Sequence, residues 1–405
     1  MKLIKNLALI MLVVLIFGSF LTEETKAEIN KEEIVIGVIG AHSGPWQILG
    51  FAQKIGVELA KSDLAKKGGI GGIPVKIVYR DDEGDPTKSL NAVKELITQE
   101  NMDLLIGTTN STCAFAISPY LIQHKKLIFN GGCTGSGIAN PEKYPYTFRV
   151  MLTNEIQAKY IANYIKENKE YSKIALVNDT GAVGMTAREE LKKLLPSEKI
   201  VADITFNSGE VDLLNVAQKI KKSGAEVIIC SSNGQDAAHV IKALEKVQYL
   251  PPKVDFVAFT GVLIKTFADI AGEAGKYVVG VNPQCATWSK LQPDGNPRML
   301  EYAKRAYSLC KNQGEKDMLI MPTSANWYDC VMMAAKAIED TNSVDGDILK
   351  KYLETDFRYA SVSGHEYTFS PSNHEAIKYD MLTLSPAIGE IRHNFMLEDV
   401  VINSK

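Results

Sequence analysis

The chain has 405 residues, with 45 Lys and Arg against 48 Asp and Glu and a net charge of −3 at pH 7. That balance lacks the basic excess of a nucleic-acid binder. The composition, 45% hydrophobic and 23% charged, is ordinary for a globular protein, and the length exceeds what one hydrophobic core usually serves, so two domains are expected.

Residues 1–27 read as a secretory leader: Lys2 and Lys5, then the apolar run 7–17, then Thr25-Lys26-Ala27. The uncharged stretch 6–22 is shorter than the roughly 20 apolar residues a membrane span needs, so cleavage before Glu28 is expected. The first cysteine is Cys113, so no lipid-bearing cysteine stands at the cleavage site and the exported chain should be soluble. The six cysteines, at 113, 133, 230, 285, 310 and 330, could pair in an oxidising compartment in several ways that sequence does not separate. Cys230 closes an apolar strand, where a buried free thiol is expected.

Apolar runs at 34–40, 74–80, 103–107 and 126–130 are predicted strands. Helices are predicted between them at 51–67, 86–100 and 114–124, the second opening on Asp85-Pro86, a cap followed by proline at the first helical position. The rhythm repeats after Arg149: helix 155–168, strand 173–177, helix 182–195, strand 199–206, helix 213–223, strand 226–230, helix 235–248 and strand 254–259. Such alternation implies parallel sheets with right-handed crossovers. The fold class is therefore α/β, two doubly wound parallel-sheet lobes joined by a hinge. Helices near 297–312 and 324–340 and half-buried strands at 366–370 and 378–384 are too little for a third domain and should return to complete the lobes.

Catalytic signatures are sparse. No Gly-x-Ser-x-Gly elbow, His-Glu-x-x-His helix or P-loop occurs, and Gly37-Val-Ile-Gly40-Ala-His-Ser-Gly44 misses the dinucleotide-binding spacing. The six histidines stand singly; a Cys-His hydrolase built from Cys113 or Cys133 with His42 is the one enzyme constellation the strand-end loops allow. A polar cluster does converge: Thr108-Thr109-Asn110-Ser111-Thr112 after the third strand and Gly131-Gly132-Cys133-Thr134-Gly135 after the fourth. Loops at the carboxyl ends of parallel strands are where open sheets bind ligands. Hydroxyls, bare amides and a helix N-terminus near Cys113 suit an anion there, although the same residues also serve as caps and turns.

These stretches, with Ile34-Val-Ile-Gly-Val-Ile-Gly-Ala-His-Ser-Gly-Pro45, Lys67-Gly-Gly-Ile-Gly-Gly-Ile-Pro74, Tyr79-Arg-Asp-Asp-Glu-Gly-Asp-Pro86 and Tyr144-Pro-Tyr-Thr-Phe-Arg149, resemble the leucine/isoleucine/valine-binding proteins, type I periplasmic binding proteins of ABC importers. The resemblance covers nearly the whole mature chain. It implies a periplasmic, monomeric binding protein without cofactor or enzymatic activity, partnered by a small-molecule ligand and an inner-membrane ABC permease. It divides the chain into a leader at 1–27, lobe 1 at 28–150 plus about 281–360, and lobe 2 at 151–280 plus about 361–405. It places Ser111, Gly132, Cys133 and Thr134, with Asn110 nearby, at the carboxylate-holding positions, and Trp46 and Leu49 on the segment that supplies an aromatic wall. The second lobe departs from the family: Thr260 stands where an acid meets the ligand ammonium, Val183 and Asn233 where tyrosines are expected, and Gly84 and Asn110 where a disulfide would be. An enclosed ammonium without an acidic partner is costly. The expected ligand is thus a carboxylate without an α-amino group, an aromatic or short-chain acid, ahead of a branched-chain amino acid and then an amide or urea. A periplasmic sensor subunit is the alternative role for the same fold.

Overall fold

The computed structural model describes residues 29–168, 171–283, 288–289, 297–387 and 391–392; the leader and Cys285 lie outside them. Each half of the chain builds one sheet. The first has the order β2 (Val75–Asp81), β1 (Ile34–Gly40), β3 (Leu104–Gly107), β4 (Ile128–Asn130), β5 (Thr147–Arg149), parallel throughout. Every residue of β1 is buried, as a central strand with helices on both faces must be. The intervening helices are α1 (Gln47–Lys66), α2 (Pro86–Thr98) and α3 (Ser111–Gln123). Asp85 caps α2 as expected, its side chain accepting the N–H groups of Thr87 and Lys88.

The second half adds α4 (Asn154–Asn168), β6 (Ile174–Asp179), α5 (Ala182–Leu194), β7 (Ile200–Phe206), α6 (Leu214–Ser223), β8 (Val227–Ser231), α7 (Gly234–Lys246), β9 (Asp255–Ala258), α8 (Lys265–Ala271) and β10 (Val278–Pro283). Its strands β6 to β10 are parallel. Short strands β11 (Trp288–Ser289) and β15 (Ile391–Arg392) pair with each other, and β12 (Tyr359–Ala360) with β13 (Glu366–Tyr367). β14 (Leu382–Pro386) joins β10 antiparallel, giving the order β14-β10-β9-β8-β6-β7.

Helices α9 (Pro297–Leu309), α10 (Gln313–Met318), α11 (Met321–Thr341) and α12 (Gly346–Thr355) lie between. α11 packs along α1, and Gly56 permits the approach: a Cβ there would stand 2.9 Å from the Tyr328 amide nitrogen. α12 is pinned to the first half by the Lys125–Asp347 pair (2.5 Å) and by Tyr146, whose hydroxyl donates to Asp347.

The alternating pattern at 378–384 is strand only from Leu382. Tyr379 packs 5.5 Å from Tyr160 and accepts the Asn163 amide at 2.9 Å, which binds residues 379–381 to α4 as a 3₁₀ turn rather than to the sheet edge. At 366–370 only Glu366–Tyr367 is strand, because Phe369 leaves the hairpin to pack on Phe148 at 5.0 Å. No helix among the described residues is long and apolar enough to cross a membrane.

Among the described residues the chain passes between the sheets at 150–153 and at 370–381. These two passages are clamped together. Arg149 N–H donates to His374 O, and Ala376 N–H to Arg149 O. The fully buried Arg149 guanidinium makes a two-pronged pair with Glu375 at 2.7 and 2.5 Å.

Candidate functional site

The carboxyl ends of both sheets face one cleft. On the first-sheet side, Asn130 at the end of β4 is wholly buried and organises two loops at once. Its Nδ2 donates to Gly107 O at 2.9 Å and Thr108 O at 3.0 Å; its Oδ1 accepts from Gly132 N at 3.2 Å and Cys133 N at 2.8 Å. Asn110 caps α3 by accepting the Thr112 N–H at 2.8 Å, so the positive end of this helix faces the cleft. Ser111 Oγ accepts the Gly135 N–H at 3.2 Å, leaving its own proton to donate. Arg149 Nη1 donates to Cys133 O at 3.1 Å and Gly135 O at 2.6 Å, tying the second loop to the crossing strands. That loop needs glycine at 132, where a Cβ would lie 2.8 Å from Trp327 Cζ2.

On the second-sheet side, Asp179 ends β6 and is the one charged side chain among the described residues lining the cleft. Burial pushes its carboxyl up to about 6, against the opposing pull of the Asn233 and Gly181 amides, which donate to it at 3.3 and 2.9 Å. Thr260 donates its N–H to Gln157 Oε1 at 2.8 Å, and Asn154 Nδ2 reaches Val183 O at 2.7 Å. Asn233 serves α7 as its cap: Oδ1 accepts the Asp236 N–H at 2.9 Å and Nδ2 donates to Asp236 Oδ2 at 2.6 Å. Both ends of that amide are thereby occupied.

Of the residues singled out by sequence, Trp46, Leu49, Asn110, Ser111, Gly132, Thr134, Val183, Asn233 and Thr260 line the cleft. Trp46 also packs on the β2–α2 turn, where a Cβ at Gly84 would stand 2.7 Å from its ring. Cys133 does not line the cleft: its thiol turns inward to Asn130 Nδ2 (3.2 Å) and Thr108 O (3.1 Å), and burial pushes it up to about 11. Only its backbone belongs to the loop. His42 faces Gln53 at 2.9 Å, so the couple of Cys113 or Cys133 with His42 is not formed. Cys113, Cys133, Cys230 and Cys330 are buried free thiols. No group of three or more His, Cys, Asp or Glu side chains among the described residues could hold a metal.

Sequence reasoning missed a further part of the wall: Asn154 and Gln157 of α4, Asn282 of β10, and Ile320, Thr323 and Asn326 around the start of α11. Asn154 and Gln157, three apart in the first helical turn after the crossing, carry a signal that was there to read. The α11 residues carry none, since they reach the cleft from the far end of the chain.

Comparison with known proteins agrees with this architecture. A Leu/Ile/Val-binding protein homolog of Brucella melitensis is 27% identical over 199 residues, 48% of this chain and 53% of that protein, so the match spans about half of the relative's length. A type 1 periplasmic binding protein of Bordetella pertussis superposes with a TM-score of 0.78 at 22% identity, covering 89% of this chain and 99% of the other. An ABC-transporter solute-binding protein of Rhodopseudomonas palustris, solved with p-hydroxybenzoic acid, gives 0.74 at 23%, covering 89% and 97%. At these identities the structural likeness is one of fold. The sequence profile described as periplasmic binding protein matches residues 33–383, and the chain belongs to that family.

Proposed function

We propose that the protein captures a small monocarboxylic acid without an α-amino group, aromatic or short-chain, and delivers it in the periplasm to an inner-membrane ABC permease. The observation that carries the ligand class is the asymmetry of the cleft. One wall offers the Ser111 and Thr134 hydroxyls beside the α3 N-terminus; the other places neutral Thr260, its N–H bound to Gln157, where the resemblance calls for an acid. No Lys or Arg is among the described residues lining the cleft, so a single negative charge suits it better than two. The p-hydroxybenzoic acid complex of the Rhodopseudomonas relative supports an aromatic acid. The acid docks on the wall organised by Asn130, the crossing strands bend, and Val183, Asn233 and Thr260 close over it and exclude water.

A branched-chain amino acid is the second reading, favoured by the Asp179 carboxylate in the cleft. A thermal-shift screen of unfolded and refolded, ligand-free protein against leucine, its keto acid, several aromatic acids and urea separates the two. The proposal expects acids without an amino group to raise the melting temperature and leucine to leave it unchanged. Stabilisation by leucine alone refutes it.

A further inference from the structure

Two carboxamides lining the cleft, one on β10 and one on α11, lack ordinary partners among the described residues. Asn282, one residue before the end of β10, is 2% exposed and lines the cleft, yet its Nδ2 is enclosed without a hydrogen-bond partner among the described residues. Two residues back, Gly280 faces Val262 and Leu263. Asn282 shares that face of the strand and so points toward the turn that follows Thr260. Asn326 of α11 is 8% exposed and lines the same cleft, and among the described residues its Nδ2 meets only the Met151 sulfur at 3.5 Å, a weak acceptor. Asn326 and Pro283, the residue that follows Asn282, also both line a second, smaller cavity. Enclosed amide donors without acceptors are rare in native proteins and costly. Two such groups lining one binding cleft mark a place kept for an oxygen that the protein does not supply.

We propose that Asn282 and Asn326 form a subsite for a neutral oxygen, hydroxyl or carbonyl, which the ligand carries in addition to its carboxylate. The inference rests on the monocarboxylate reading and narrows it to hydroxy- or oxo-substituted acids. Thr134 and Ser111 hold the charge, while the asparagines select the substituent. A hydrocarbon at that position would leave the donors unpaired, which is how a polar pocket rejects the analogue that lacks the group.

Calorimetry on the full chain with matched pairs tests this: 4-hydroxybenzoate and benzoate, 4-hydroxyphenylacetate and phenylacetate, 4-oxopentanoate and pentanoate. The wild type is expected to prefer the oxygenated member of at least one pair by about tenfold or more, and Asn282→Leu and Asn326→Leu are each expected to reduce that preference toward unity while still binding the plain acid. Melting temperatures of the ligand-free variants check folding, and Asn282→Ala and Asn326→Ala stand in if a leucine variant fails to fold. If the wild type binds both members of every pair alike, the donors pair with water and the subsite falls. Equal weakening of both members by the variants would put the asparagines on the carboxylate and also overturn it. If no acid of either kind binds the wild type, the monocarboxylate reading falls and takes the subsite with it.

Discussion

Arg149 offers a test of how the cleft is held. Its buried guanidinium spends two contacts on Glu375 and two on the carbonyls of Cys133 and Gly135. Replacing it by Met removes one partner of a buried pair, which costs about 3–5 kcal/mol because the other charge is left uncompensated. Burial already pushes the Glu375 carboxyl up against the pull of Arg149. With Arg149 gone it should hold its proton to higher pH, so the loss should be larger at pH 8 than at pH 5. The double variant Arg149→Met/Glu375→Leu removes both charges and should regain most of the stability, yet the two loop carbonyls still lack their donor. Ligand affinity should then stay reduced by about tenfold, the size of one or two lost hydrogen bonds. Urea unfolding at both pH values and calorimetry with the best-binding acid measure these effects. A single variant within about 1 kcal/mol of wild type, or a double variant with full affinity, would refute the clamp.

Three further outcomes follow from the structure. Asp179, raised to about 6, is neutral below that pH and charged above it, so a carboxylate ligand should bind more weakly at pH 8 than at pH 5; Asp179→Asn should flatten the profile, whereas an ammonium-bearing ligand would show the opposite slope. Gly132→Ala should destabilise by about 1–3 kcal/mol through its clash with Trp327, and Trp327→Phe should relieve it in the double variant, both read by thermal melts. Asp329, fully buried, receives the Val362 N–H at 3.1 and 3.2 Å and the Tyr359 hydroxyl at 2.9 Å, and burial pushes it up to about 7. Its folded-state pKa exceeds the unfolded one, so its contribution is present at low pH and lost as pH rises through 7. Asp329→Asn should therefore gain on the order of 2–4 kcal/mol over wild type at pH 8 and little at pH 4 in urea titrations; equal effects at both pH values would refute the linkage.

Much of the fold was legible because burial dictated composition. The run at 34–40 coincides with β1, and each of the eight predicted elements from 155 to 259 has its counterpart. The helix at 111 begins three residues earlier than expected because Asn110, read as a ligand group, caps it; Asn233 repeats the lesson at α7. A cap and a binding residue share the same chemistry in sequence, and only the position of the acceptor separates them. Cys133 was drawn into the site by its neighbours, since sequence does not reveal which way a loop side chain turns. The crossing residues and α11 escaped notice because their place at the cleft depends on contacts between distant parts of the chain.

The double grip of Asn130 has an evolutionary corollary. One carboxamide satisfies partners in both loops of the first wall, so that wall is assembled before any solute arrives and tolerates little drift. Val183 and Thr260 are under no comparable restraint from their side chains. Diversification of such a scaffold should run through the second wall, with new cargo acquired by few substitutions there while the first wall is inherited intact.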